Sequence, residues 1–189
     1  IGPIPLDHEK SERPYFVVLG TIEPRKNHKL LLDIWERMHR KMDEHRIPEL
    51  RIIGGRGWGN SEVFDILDNS SMMGRTVFEL GPLPDKEMKR QLAGATGLLF
   101  PSLAEGYGLP PFEAATFGIP SIVSPLRPTE IHMGDMAIYA DTDDMYQWFQ
   151  AIRELAGEDL AEQTRRASAL RAYQLPSWEK HFDRVFGLI

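Results

Sequence analysis

Short apolar runs alternate along this chain with longer stretches in which apolar positions recur every three to four residues. The runs Tyr15-Phe16-Val17-Val18-Leu19, Leu50-Arg51-Ile52-Ile53, Val77-Phe78-Glu79-Leu80 and Gly97-Leu98-Leu99-Phe100 have the length and bulk of strands buried on both faces. Strands are expected near 15–20, 50–54, 76–80, 97–101, 120–124 and 137–140. Between them, Leu30, Leu31, Ile34, Trp35 and Met38 fall on one helical face behind Asn27, a candidate N-cap. Crossover helices are expected over 60–70 and over 85–95, the latter opened by Asp85 with Glu87 in its first turn. Helices near 143–156, 158–173 and 177–187 complete the pattern. Strand–helix alternation of this kind predicts an α/β fold, a doubly wound parallel sheet of about six strands with helices on both faces.

One loop stands out against this background. Glu105-Gly106-Tyr107-Gly108-Leu109-Pro110-Pro111-Phe112-Glu113 places a carboxylate at each end of a glycine-rich turn that leads into an apolar helix. Gly106 and Gly108 let the backbone approach a ligand, and the helix start offers free N–H groups and a positive dipole end to a phosphate. Glu113 then lies one to two turns further on, where it can accept hydrogen bonds from sugar or ribose hydroxyls. The turn follows the strand 97–101, so it sits where open α/β sheets bind ligands.

These residues carry a family resemblance. Pro101-Ser102-x-x-Glu105-Gly106-Tyr107-Gly108-Leu109, with Glu113-Ala114-x-x-x-Gly118-x-Pro120, resembles the Glu-x7-Glu signature of the retaining glycosyltransferases of group 1, also called family 4. The stretch Leu19-Gly20-Thr21-Ile22-Glu23-Pro24-Arg25-Lys26-Asn27 is similar to the family's early basic motif. Leu50 to Gly55 and Val77 to Gly81 resemble its next two strands, and Ser177-Trp178-Glu179 its closing helix. The series covers most of residues 15 to 189 in the family's order. It implies the carboxyl-terminal, Rossmann-like half of a GT-B enzyme, with residues 1–14 a linker from a first domain. Residues 15–175 would form the nucleotide-sugar-binding domain, and 176–189 a last helix that crosses back onto the other domain or closes the local core.

Composition narrows the alternatives. The 189 residues hold 42% hydrophobic and 26% charged side chains, enough for one well-packed domain. A net charge of -6 argues against nucleic acid as the main partner. There is no cysteine, which excludes disulfides and thiolate metal sites. No apolar run approaches the roughly 20 residues of a transmembrane helix, so the chain is expected to be cytoplasmic or peripheral at the cytoplasmic membrane face.

The resemblance also implies roles. Departure of a nucleoside diphosphate builds negative charge, which fixed cations stabilise. Lys26 matches the family's lysine in this loop. Arg25 is a nearby substitute for an arginine that many members carry where this chain has Thr21. From position alone, a solvated Arg-Lys pair is as good a reading. Glu113 is expected to bind ribose hydroxyls, or else to be an ordinary dipole-facing glutamate. Glu105 is expected beside the donor sugar, with Gly106 next to it in the donor site and the N–H groups of Tyr107, Gly108 and Leu109 facing sugar or distal phosphate. Leu83, after the third strand, is a candidate contact to the base. Gly20 is placed at the edge of the donor site, where a tight turn is needed. Glu130 matches a glutamate that many members have after the fifth strand, and His132 lies beside it.

Two motifs carry less. Gly55-Arg56-Gly57-Trp58-Gly59 has the wrong spacing for a dinucleotide fingerprint and reads as a turn with a surface tryptophan. Asp141-Thr142-Asp143-Asp144 resembles an Asp-x-Asp metal motif but precedes a helix, so it reads as an N-cap. No bound metal or tightly held cofactor is expected. The donor would be a GDP- or UDP-linked sugar, and the acceptor a glycan or lipid-linked saccharide held by the other domain. A nucleotide-binding or scaffolding module without turnover is the competing reading. An epimerase or phosphorylase of the same fold is disfavoured by the Glu-x7-Glu pattern.

Overall fold

The computed structural model describes residues 13–172. The proposed linker, apart from its last two residues, and the closing helix 177–187 lie outside that range. Six strands form one parallel sheet in the order β3-β2-β1-β4-β5-β6. They are β1 (Tyr15–Leu19), β2 (Glu49–Ile53), β3 (Val77–Gly81), β4 (Gly97–Phe100), β5 (Ser121–Val123) and β6 (Ile138–Tyr139). The helices are α1 (His28–Lys41), α2 (Ser61–Asn69), α3 (Asp85–Ala93), α4 (Leu109–Thr116), α5 (Arg127–Met133), α6 (Met145–Gly157) and α7 (Leu160–Arg171).

β1 is central, and all five of its residues are buried. Successive side chains of a strand point to opposite faces, and here they feed two cores. Phe16 and Val18 pack with Leu31, Ile34 and Trp35 of α1, Val63 of α2 and Trp148 of α6. Tyr15, Val17 and Leu19 pack with Leu92 of α3 and Ala114 of α4. The sheet is therefore covered on both sides, as the periodicity predicts. The two buried indoles among the described residues, Trp35 and Trp148, satisfy their polar atom. Trp35 Nε1 donates to Pro48 O at 2.8 Å, and Trp148 Nε1 to Asp141 O at 3.0 Å.

Local details depart from the sequence reading in instructive ways. Asn27 stands at the N-cap of α1, but its side chain makes no capping bond. Its left-handed backbone (φ 52°) ends the 3-10 turn Pro24–Lys26 and starts α1 at once, a conformation asparagine tolerates. Asp144 is a true N-cap, accepting from the N–H groups of Tyr146 and Gln147, so the acidic run Asp141–Asp144 is used for capping. Trp58 is 72% exposed on its turn. α5 is an element the periodicity does not announce, because its one turn after Pro128 is too short for an apolar stripe.

Gly20 and Gly54 face each other where β1 and β2 turn into their loops. Gly20 has φ 130° and Gly54 φ 154°, and a Cβ on Gly54 would lie 2.0 Å from Gly20 O. The two loops are then joined by Ile22 N–H to Gly55 O at 2.9 Å and Gly57 N–H to Ile22 O at 3.1 Å. Gly54→Ala should cost about 2 kcal/mol or more, and Gly55→Ala, where a Cβ meets nothing within 4 Å, should cost far less. Urea denaturation of both variants checks this.

Candidate functional site

The chain order reverses at β1, whose neighbours are β2 on one side and β4 on the other. Loops leaving adjacent strands at such a point diverge to opposite faces and leave a crevice between them. Here those loops are Gly20–Asn27 and Pro101–Gly108, and they are bonded to one another. Leu103 N–H donates to Arg25 O at 2.7 Å. Lys26 Nζ donates to Glu105 Oε1 at 2.6 Å, and Arg25 Nη1 reaches the same oxygen at 3.1 Å.

Lys26 is held from below as well. It is 8% exposed, and its ammonium lies 4.9 Å from the centroid of the Phe100 ring. A Cβ on Gly20 would come within 3.3 Å of Lys26 Cε, so the glycine at the end of β1 leaves the lysine its channel. Arg25 is half exposed and tethered by Glu23, whose Oε1 lies 2.6 Å from Arg25 Nε. Glu23 is thus a site residue that sequence reading passed over, although it lies within the quoted basic motif. Lys29, close to these cations in sequence, turns away to Asp33 at 2.6 Å and Glu62 at 3.4 Å.

Burial alone would raise the Glu105 carboxyl. Hydrogen bonding from Lys26, a contact with Ser102, and the charges of Lys26 and Arg25 outweigh it and hold the group below its ordinary 4.5. The Ser102 hydroxyl is near enough to favour the carboxylate yet forms no proper hydrogen bond of its own. Glu105 is therefore an ionised acceptor that fixes two cations. Each cation keeps further N–H donors, since an ammonium has three and a guanidinium five.

The turn itself supplies neutral donors. Gly108 takes the left-handed conformation (φ 77°) at the N-cap of α4. The N–H groups of Tyr107, Gly108 and Leu109 have no acceptor among the described residues. Pro110 and Pro111 carry no N–H, so the free donors at this end of α4 are the amides of Tyr107, Gly108 and its first residue Leu109, rather than a whole helical turn of amides as expected from the motif. Gly106 is open, with nothing within 4 Å of the position a Cβ would take.

Glu113 lies four residues after Leu109, about 6 Å along α4, and its exposed side chain makes no bond within the described residues. Leu83 is half-buried against the α3–α4 core, at the C-terminal end of β3. Glu130 and His132 both sit on α5. The imidazole of His132 stacks on Tyr107 with centroids 4.6 Å apart and meets Phe112 edge-on at 5.7 Å, whereas Glu130 is exposed. Among the described residues, no group of three or more His, Cys, Asp or Glu is placed to hold a metal ion, and no helix is long and apolar enough to cross a membrane.

A doubly wound parallel sheet, with cations and free amides converging at its switch point, defines a Rossmann-like domain with an anion-receptive crevice. The family model described as glycosyl transferases group 1 matches residues 13–158, and the chain belongs to that family. It is 27% identical over 177 residues to O-antigen chain mannosyltransferase B of Escherichia coli, covering 94% of this chain and 46% of that protein. It is 30% identical over 115 residues to a D-inositol 3-phosphate glycosyltransferase of Nocardioides, covering 60% of this chain and 25% of that protein. TarM of S. aureus, solved with fondaparinux, α-GlcNAc-glycerol and UDP, superposes with a TM-score of 0.74 at 18% identity, over 96% of this chain and 37% of that one. WaaG, a glycosyltransferase involved in lipopolysaccharide biosynthesis, gives 0.68 at 18% identity, over 94% and 48%. The structural likeness shows the GT-B type of fold. The chain spans less than half the length of each of these relatives.

His28, the first residue of α1, is 1% exposed with neither ring nitrogen hydrogen-bonded. Burial and the neighbouring Lys26 charge lower it from 6.5 to about 4. Its folded-state value lies below its unfolded one, so stability is full above pH 6.5 and is lost as the pH falls towards 4. His28→Leu should remove about 3 kcal/mol of that pH dependence. Glu105 is depressed in the same sense, so its contribution is present above pH 4.5 and is lost below that as the carboxyl protonates. Glu105→Gln should flatten that lower limb only. Chemical denaturation at a series of pH values separates the two.

Proposed function

We propose that this chain is the donor-binding half of a retaining glycosyltransferase that moves a hexosyl group from a nucleoside diphosphate sugar to a glycan or lipid-linked acceptor. The observation that carries the reading is the convergence of Lys26, Arg25 and Glu105 across the switch point, beside the unpaired amides of Tyr107, Gly108 and Leu109. In this reading Lys26 and Arg25 face the diphosphate, where charge grows as the anomeric C–O bond breaks. A cation fixed before the reaction stabilises that charge without reorganising during it.

Glu105 has a double task. It orients both cations, and its remaining acceptor capacity faces the hydroxyls of the donor sugar. Its commitment to two cations argues against use as a nucleophile, which would need a free carboxylate on the opposite face of the ring. Retention then rests on front-face attack, with the leaving phosphate taking the acceptor proton. Glu113, exposed one turn down α4, is assigned to the ribose hydroxyls, and Leu83 to the edge of the base. The mannosyltransferase names among the relatives make a mannosyl donor the first to test, with GDP- and UDP-linked sugars compared.

The acceptor and its orientation are assigned to another domain of the whole protein, together with any peripheral contact at a membrane. Half a cleft lacks the positioning that makes transfer fast, so the chain by itself should bind donor without turnover. Calorimetric titration with UDP, GDP, ADP and their sugar conjugates tests this. Selective binding of one nucleotide is expected, weakened about tenfold or more by Lys26→Ala and less by Glu113→Ala. Binding of every nucleotide with equal strength, unaffected by either substitution, would overturn the assignment.

A further inference from the structure

A buried hydroxyl that bonds nothing carries a free-energy cost, so each one in a folded protein asks for a reason. Thr129 Oγ1 is such a group, in a residue 1% exposed. It lies on α5, opposite the glycine turn. A Cβ placed on Gly108 would be 3.8 Å from Thr129 Oγ1 and 3.7 Å from Phe100 Cε1. The hydroxyl therefore abuts the N-cap of α4, where the Gly108 and Leu109 amides are free.

α5 meets the same turn a second time. Residues three apart share one face of a helix, and three residues after Thr129 the His132 ring stacks on Tyr107 at 4.6 Å. One face of α5 thus braces the turn at successive residues, Tyr107 by stacking and Gly108 by proximity to the hydroxyl. The other end of the brace is fixed by Tyr139, whose hydroxyl donates to Gly134 O at 2.9 Å just beyond α5. The remaining unpartnered hydroxyls have other surroundings. Ser102 faces Glu105, and Ser121 is on β5 at the opposite end of the sheet.

We propose that Thr129 is a donor-binding residue. Its hydroxyl donates to the distal phosphate of a nucleoside diphosphate, alongside the Gly108 and Leu109 amides, once the turn has shifted to admit the ligand. This rests on the donor-site reading above and adds a residue from α5 to it. Thr129 Oγ1 is sealed behind the turn, so the contact requires Gly106–Gly108 to shift. Two glycines, one with nothing within 4 Å of its Cβ position, leave room for that. The unpaired hydroxyl then costs stability in the free protein and is satisfied in the bound one.

Titration of the chain with GDP, GMP, UDP and UMP, before and after Thr129→Val, tests the proposal, with thermal unfolding measured in parallel. Removing the hydroxyl should lower affinity for the preferred diphosphate about ten- to a hundredfold. Affinity for the matching monophosphate should change little, and the melting temperature should stay level or rise. Thr129→Ser should keep the wild-type affinity. An unchanged diphosphate affinity in Thr129→Val, or an equal fall for diphosphate and monophosphate, would overturn this inference and leave the donor site standing. No diphosphate binding by the unsubstituted chain would overturn the donor site and this inference together.

Discussion

The contact between Lys26 and Glu105 crosses the place in the sheet where the chain winds away in opposite directions. Parallel strands hydrogen-bond along their length, but their exit loops separate at such a point. A lysine that is 8% exposed needs a partner, because an isolated buried charge is expensive. Glu105 supplies one at 2.6 Å, with the Phe100 face beneath it. The arrangement closes the floor of the crevice and leaves donors above it. Buried ion pairs are weak contributors to stability compared with apolar packing, so this one is not needed to hold the sheet together.

Much of the fold was legible because each strand is a compact apolar block and each long helix carries a stripe. β1 is the clearest case, since five consecutive buried residues can only be divided between two cores by a central strand. The strand ends moved by a residue or so, and β6 shrank to Ile138–Tyr139. α5 was not legible. Its boundaries depend on Pro128 and on packing of Thr129 and Met133, and seven residues show no period. The capping of α1 was half legible, with Asn27 correctly placed but acting through its backbone conformation.

The site was legible where one motif spans it and illegible where two loops meet. Glu105, Gly108 and Glu113 fall within nine residues of sequence, and the turn and helix geometry follow from the glycines. That Lys26 would touch Glu105, 79 residues away, follows only from the strand order. Glu23, Ser102, His28 and Thr129 are ordinary polar residues in the sequence. Only burial, an ion pair or a missing hydrogen bond marks them, and those are properties of the packed molecule.

Pro110 and Pro111 show how the chain shapes what this crevice can hold. Proline is suited to the first turn of a helix, where its fixed φ costs nothing and no N–H is missed. Two in succession start α4 rigidly but remove the amides that a helix end would otherwise present to an anion. In the proposed donor site, anion binding then falls to the turn at the start of the helix and to side chains from the facing loops. Those groups sit at the switch point itself, next to Lys26, rather than along the axis of α4. The rigid helix start and the glycine turn are adjacent and meet through Tyr107 and Phe112, whose ring centroids lie 5.9 Å apart, while Ala114 is buried further along α4. Glu113, carried on the rigid part, keeps a fixed distance from the core while the turn adjusts. Under the proposed function, selectivity for the attached groups would be set on α4 and capture of the anion left to the turn.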